Sequence, residues 1–263
     1  MTHKTPLARR EFLKIAGAGV IAASLPRRLR AAAKAETMPN FLVILTDDQR
    51  FDALHAAGCR EIITPAMDKL AAEGAHFTQA TIMGGQHGAL CVASRAMLMT
   101  GASLYRCKGG IPVDFATLPQ ILRQNDYATF VTGKWHNDDA SLLRSFECGA
   151  AIFHGGMGSH FKTRVDDIAG GTLVRKRDAD GFDAAVFADS TIEFLKTRPE
   201  DRPFFAYLSF KTPHDPRRVL DKYHKMYDAA SLPLPPNFMP EHPFDNGELK
   251  VREWDIACEL LWK

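Results

Sequence analysis

Apolar residues recur along this chain in two rhythms. Phe41 to Leu45 is an unbroken apolar run between Asn40 and the polar pair Asp47-Asp48. It is too short for a typical helix and carries β-branched residues, which predicts a buried parallel strand. Tyr127–Thr132 and Pro203–Phe210 read the same way, and His76–Ile82 is a weaker strand-like stretch. Between them the spacing turns helical. Pro65–Glu73 carries Met67, Leu70 and Ala71 on one face and stops at Gly74; Cys91–Thr100 stops at Gly101; Leu118–Gln124 follows. Phe182–Lys196 places Ala185, Ala188, Ile192 and Leu195 on a common stripe. Glycines mark a loop at residues 84–88 and crowd residues 149–181, where a hairpin is expected around Ala179-Asp180-Gly181. Five prolines within residues 231–246 predict an extended loop, and Val251–Trp262 a last helix. Strands alternating with helices predict an α/β fold, with a mostly parallel or mixed central sheet and helices on both faces.

Charge changes the picture at one end only. Of the overall +2, residues 1–35 hold eight basic residues against Glu11 alone, a net +7, so the remainder carries −5. A mildly acidic body gives no support to a nucleic-acid groove. Arg9-Arg10-Glu11-Phe12-Leu13-Lys14 precedes an eleven-residue apolar run, Ile15–Leu25, and the small residues Ala31-Ala32-Ala33. Eleven residues are too few to span a bilayer, which takes about 20. The pattern reads as a cleavable signal peptide over residues 1–35, and its paired arginines resemble a twin-arginine leader. The expectation is an exported protein, periplasmic or extracellular, that engages the twin-arginine export machinery and has no stable membrane span. Cys59, Cys91, Cys107, Cys148 and Cys258 show no C-x-x-C spacing, and an odd count leaves at least one unpaired.

The strand-like runs share a polar ending: Asp47 and Asp48 after the first, Lys134 and His136 after the second, Lys211 and His214 after the third. In open α/β sheets ligands bind beyond the carboxyl ends of the strands, so these groups should converge. Adjacent carboxylates suit a hard divalent cation, and the lysines and histidines an oxyanion. Cys91 opens a helix and Arg95 follows one turn later on the same face. No G-x-S-x-G, P-loop or dinucleotide fingerprint is present.

Cys91-Val92-Ala93-Ser94-Arg95 matches the C-x-[P/A]-x-R pattern of the sulfatases. Met97-Leu98-Met99-Thr100-Gly101 continues it, and Asp47-Asp48-Gln49, Gly133-Lys134-Trp135-His136 and Pro213-His214-Asp215-Pro216 occur in family order. The chain therefore resembles a formylglycine-dependent, arylsulfatase-like member of the alkaline phosphatase superfamily. The resemblance implies an alkaline phosphatase-like fold, and hydrolysis of sulfate esters with release of inorganic sulfate. It implies that a formylglycine-generating enzyme oxidises Cys91 to the aldehyde whose hydrate is the nucleophile. Asp47, Asp48 and the matured residue 91 would hold Ca2+. Arg95 would orient that residue, Lys134 bind a sulfate oxygen, His136 act on the second hydroxyl and His214 serve the leaving oxygen. Lys211 is a weaker candidate, and Gln49 would lie just outside the metal shell. The substrate would be a sulfate ester, with sulfated glycans among the candidates.

The departures also count. Ala93 stands where proline is commoner, and Asp245-Asn246-Gly247 imitates the family's later metal motif without a strand before it. Residues 36–263 are accordingly expected to be a truncated N-terminal catalytic domain, incomplete at its C-terminus and lacking distal calcium ligands. Two alternatives stay open: a phosphodiester or phosphonate monoester hydrolase of the same superfamily, and an inactive exported fragment.

Overall fold

The computed structural model describes residues 38–84, 90–234, 236, 238 and 239. The leader expected at residues 1–35, residues 85–88 of the glycine-rich loop, most of the proline-rich stretch, Asp245-Asn246-Gly247 and the helix expected over 251–262 lie outside them.

Six strands make one sheet: β1 (Phe41–Leu45), β2 (Ala128–Lys134), β3 (Cys148–Phe153), β4 (Arg164–Ala169), β5 (Thr172–Asp178) and β6 (Phe204–Ser209). Their order is β1-β6-β2-β3-β4-β5. The first four run parallel, while β4 and β5 are added antiparallel, so the sheet is mixed. The principal helices are α1 (Pro65–Glu73), α2 (Cys91–Thr100), α3 (Leu104–Cys107), α4 (Leu118–Gln124), α5 (Asp139–Ser145), α6 (Asp183–Thr197) and α7 (Asp221–His224). Local chemistry fixes several starts. Thr117 and Gln120 form a reciprocal capping box on α4, and Asp138 caps α5 through Ser141 N.

The strand period of two decides which helix covers which face. Phe205 and Tyr207 of β6 join Val131, Trp135 and Phe146 in a cluster that takes Ala96 and Met99 from α2 and Leu142 from α5. The alternate residues Phe204, Ala206 and Leu208 turn to the other face, where Phe187 and Phe194 of α6 meet them. Helices thus cover both faces, and β6, buried at every residue, lies at the centre of the parallel half.

Several expectations need correction. The stripe of α6 that is buried is Asp183, Phe187, Thr191 and Phe194, while Ile192 is exposed. Two phenylalanines seven residues apart bury more area than the alanines of the expected stripe, and so set the helix rotation. The hairpin turns at Gly170-Gly171, both at positive φ, not at Ala179–Gly181, which leads into α6. Residues 76–82 form no strand. The β1 run, expected to be buried, is the edge of the sheet among the described residues, with Ile44 half exposed. No described helix is long and apolar enough to cross a membrane, and all four described cysteines are free thiols.

Candidate active site

β1, β6 and β2 are neighbours and parallel, and Leu45, Ser209 and Gly133 stand in one register row. The three polar endings therefore leave the sheet from one edge, as the sequence predicts. Gly133 makes the tight approach possible. It sits at φ +85°, and a Cβ there would lie 1.9 Å from the Ser209 carbonyl oxygen.

Cys91 opens α2 across this edge and is half buried. Its thiol lies 3.5 Å from Asp47 Oδ1, and the imidazoles of His136 and His214 hydrogen-bond it. Those two bonds, first His136 and then His214, outweigh burial and lower the thiol pKa to about 6. The bond to Cys91 in turn raises His214 to about 9 against burial, and His214 Nδ1 lies 3.0 Å from the Asp215 carbonyl oxygen. The pair thus favours a thiolate beside an imidazolium. His136 stands at positive φ, its ring packed against Gly156, where even a Cβ would come within 2.7 Å. Its buried Nδ1 finds no hydrogen-bond partner among the described residues.

Beneath the thiol lies a dense charge cluster. Asp47 Oδ2 accepts from Lys134 Nζ and lies 3.5 Å from Arg95 Nη2. Lys134 and Arg95 are fully buried. Arg95 Nη1 donates to the Lys134 carbonyl oxygen at 2.7 Å, to the Tyr207 hydroxyl at 3.1 Å and to Ser209 Oγ. Two cations facing one carboxylate leave net positive charge, which suits an anionic group bound above them.

The structure therefore brings together Asp47, Cys91, Arg95, Lys134, His136 and His214. Asp47, Asp48, Cys91, Arg95, His214 and Asp215 line one pocket. Asp47, Cys91 and His214 each offer a ligand atom within 4.8 Å of the others. Asp48 is set differently: it is at positive φ, half exposed, and lies 3.6 Å from Arg217 Nη2. Gln49 turns to Ala53 O and Met67 Sδ. Lys211 is away from the pocket, paired with Asp183 at 2.9 Å. Sequence reasoning missed Tyr207 and Ser209 as Arg95 acceptors. Their signal was two polar residues at alternate positions in the apolar β6 run, on the face turned to α2.

A sequence model of the sulfatase family matches residues 39–237. The chain belongs to the sulfatase family. It is 27% identical over 235 residues to arylsulfatase J of Mus musculus, covering 80% of this chain and 38% of the relative. It is 27% identical over 232 residues to an N-acetylglucosamine-6-O-sulfatase of Bacteroides thetaiotaomicron, covering 84% and 38%. A solved structure described as a complex with its substrate D-glucosamine-2-N,6-O-disulfate superposes with a TM-score of 0.64 at 26% identity, over 76% of this chain and 39% of that one. The described sheet and helices thus have the architecture of known sulfatases, an alkaline phosphatase-like fold. This sulfatase chain spans 38% to 41% of the length of the first four curated relatives it matches.

Proposed function

We propose that this sulfatase chain carries the nucleophile of a sulfate-ester hydrolase site, in a protein exported by the twin-arginine route. One observation carries the reading: the Cys91 thiol, held by His136 and His214, stands over the Asp47–Lys134–Arg95 cluster where three parallel strands end. Oxidised to formylglycine by a dedicated generating enzyme, residue 91 supplies a hydrated aldehyde, whose hydroxyl is the nucleophile towards sulfur.

The other residues have roles that follow from their positions. Lys134 and Arg95 keep the floor of the site positive, which favours the sulfate oxygens. Arg95 also locks the start of α2 to the ends of β2 and β6, so that residue 91 is held still. His136, whose imidazole lies against residue 91, is placed to take a proton from its second hydroxyl. His214, cationic near neutral pH beside Cys91, faces the pocket and is placed to give a proton to the departing alcohol oxygen.

The acidic residues fit a hard divalent ion. Among the described residues Asp47 Oδ1 meets a thiol at 3.5 Å, and Asp48 lines the same pocket half exposed. Asp47, Asp48 and residue 91 would hold calcium, which when bound supplies charge that polarises the sulfate oxygens. The relatives acting on sulfated glucosamines support a sulfated sugar as the substrate class.

The test uses the full-length protein co-expressed with a formylglycine-generating enzyme. Mass spectrometry should find the aldehyde at residue 91, and aryl sulfates should release sulfate. Matched phosphate esters, turned over faster than the sulfates, would move the assignment to a phosphoester hydrolase of the same superfamily.

A further inference from the structure

Behind the pocket lies a second cluster of ionisable groups for which the site chemistry has no use. Asp183, at the first turn of α6, is completely buried. It accepts from His160 Nδ1, 3.1 Å from each carboxylate oxygen, and from Lys211 Nζ at 2.9 Å, with Thr163 Oγ1 also at 2.9 Å. Burial alone would push its carboxyl up, but the bonds from His160 and Lys211 outweigh it and hold the group below the usual carboxylate range. Lys211 spends its remaining donors on Ser159 O at 2.9 Å and Thr163 Oγ1 at 3.0 Å, and lies 4.4 Å from the Phe153 ring centre. His160 and Lys211 are each about 98% buried or more.

This cluster reaches the pocket through the backbone of His214. His160 Nε2 lies 3.2 Å from the His214 carbonyl oxygen, and the His214 N–H donates to Lys211 O at 2.9 Å. Both peptide groups flanking the His214 α-carbon are thereby fixed to the cluster, while its imidazole points at Cys91. A buried ion pair is a weak net stabiliser, since desolvation offsets its attraction. What this one does by geometry is to set the direction of one side chain.

We propose that His160, held by Asp183, is a positioning residue for His214, aiming its imidazole at the leaving oxygen of the substrate. The inference rests on the sulfate-ester reading above. His160 touches no substrate; it acts through the carbonyl it holds.

Full-length, matured protein tests it with two aryl sulfates of nearly equal size, phenyl sulfate and 4-nitrophenyl sulfate. Phenolate is a poor leaving group and depends on a donated proton, whereas 4-nitrophenolate departs with little help. His160→Asn keeps a donor towards Asp183 but cannot reach His214 O. Its kcat for phenyl sulfate should fall about 10- to 100-fold at unchanged KM, the size expected for a misaimed catalytic group, while kcat for 4-nitrophenyl sulfate changes little. His160→Gln, whose amide donor stands near the place of Nε2, should restore most of the loss. Thermal unfolding is followed beside the kinetics. Asp183→Asn, which keeps an acceptor for the ring but removes its charge, is the second variant should His160→Asn fail to fold. A smaller loss of the same leaving-group dependence is expected from it. Equal losses on both substrates, or no recovery in His160→Gln, would overturn the inference and leave the cluster a structural one. A wild type inactive on both sulfates would instead overturn the sulfate-ester reading beneath it.

Discussion

The Arg95 guanidinium donates to the main-chain oxygen of Lys134 at 2.7 Å, so the helix that starts at Cys91 is tied to the last residue of the central strand β2. Tyr207 and Ser209 of β6 accept from the same nitrogen, which makes Arg95 a rivet between one helix and two strands. Arg95→Ala leaves those acceptors and Asp47 facing a void, and removing one partner of a buried charged cluster costs about 3–5 kcal/mol. Arg95→Lys offers one compact ammonium in place of a planar fork and should recover only part of this. Urea denaturation read by far-UV circular dichroism checks both.

The thiol of Cys91 should titrate far below an ordinary cysteine. In unmatured, chelator-treated protein, the rate of alkylation by iodoacetamide should rise with pH to a half-maximum near 6, rather than near 9. The thiolate form is the one that His136 and His214 stabilise, so removing either lowers the thiolate fraction at neutral pH. His136→Ala should move the midpoint upward the most, because its bond is the larger cause. An unchanged midpoint in that variant would show that the imidazole does not act on the sulfur.

Two glycines at positive φ should respond very differently to alanine. Gly101 caps α2 at φ +65° with open space around it, so Gly101→Ala should cost only the conformational strain, about 1–2 kcal/mol. At Gly133 the added carbon meets the Ser209 carbonyl oxygen, which is backbone and cannot swing aside. Gly133→Ala should cost more than about 4 kcal/mol, at the exceptional end for single substitutions. Thermal unfolding of the two variants side by side gives the comparison.

Calcium binding should separate the two acidic residues from their cationic neighbour. Asp47→Asn and Asp48→Asn should each weaken Ca2+ affinity by about tenfold or more, since a carboxylate ligand is lost. Arg217 competes with the ion only through an exposed pair at 3.6 Å. Such a pair is worth at most about 1 kcal/mol, so Arg217→Gln should tighten binding by no more than about fivefold. Isothermal titration calorimetry on the full-length protein reads all three.

The parallel half of the sheet was legible because β1, β2 and β6 are each short apolar runs closed by charged residues, and most of those closures, Lys211 apart, meet at one edge of the sheet. The other half was not. In β4 and β5 pairs such as Asp166-Asp167 break the alternation that marks a strand, and the turn glycines at 170 and 171 sit among many others. Asp48 was legible as a pocket residue from its neighbour Asp47, but its outward turn depends on a positive φ that no spacing announces. The His160–Asp183–Lys211 cluster draws one residue from each of three segments, so no local pattern could assemble it. Asp183 in particular looks like any acid in the first turn of a helix. Lys211 carried the one clue, as a lysine directly after the apolar β6 run.

The order of strands has a consequence for how the site comes into being. β6 lies between β1 and β2, although both precede it in the chain, and its start is held to Asn40 across a separation of 164 residues. Until Phe204–Ser209 arrives, the ends of β1 and β2 have no common neighbour, and Asp47 and Lys134 have nothing to bring them together. Closing so long a loop is slow, because its entropy is lost before any contact repays it. On a ribosome, then, Cys91 emerges more than a hundred residues ahead of the strand that completes its surroundings, and the charged cluster can close only once that strand has joined β1 and β2.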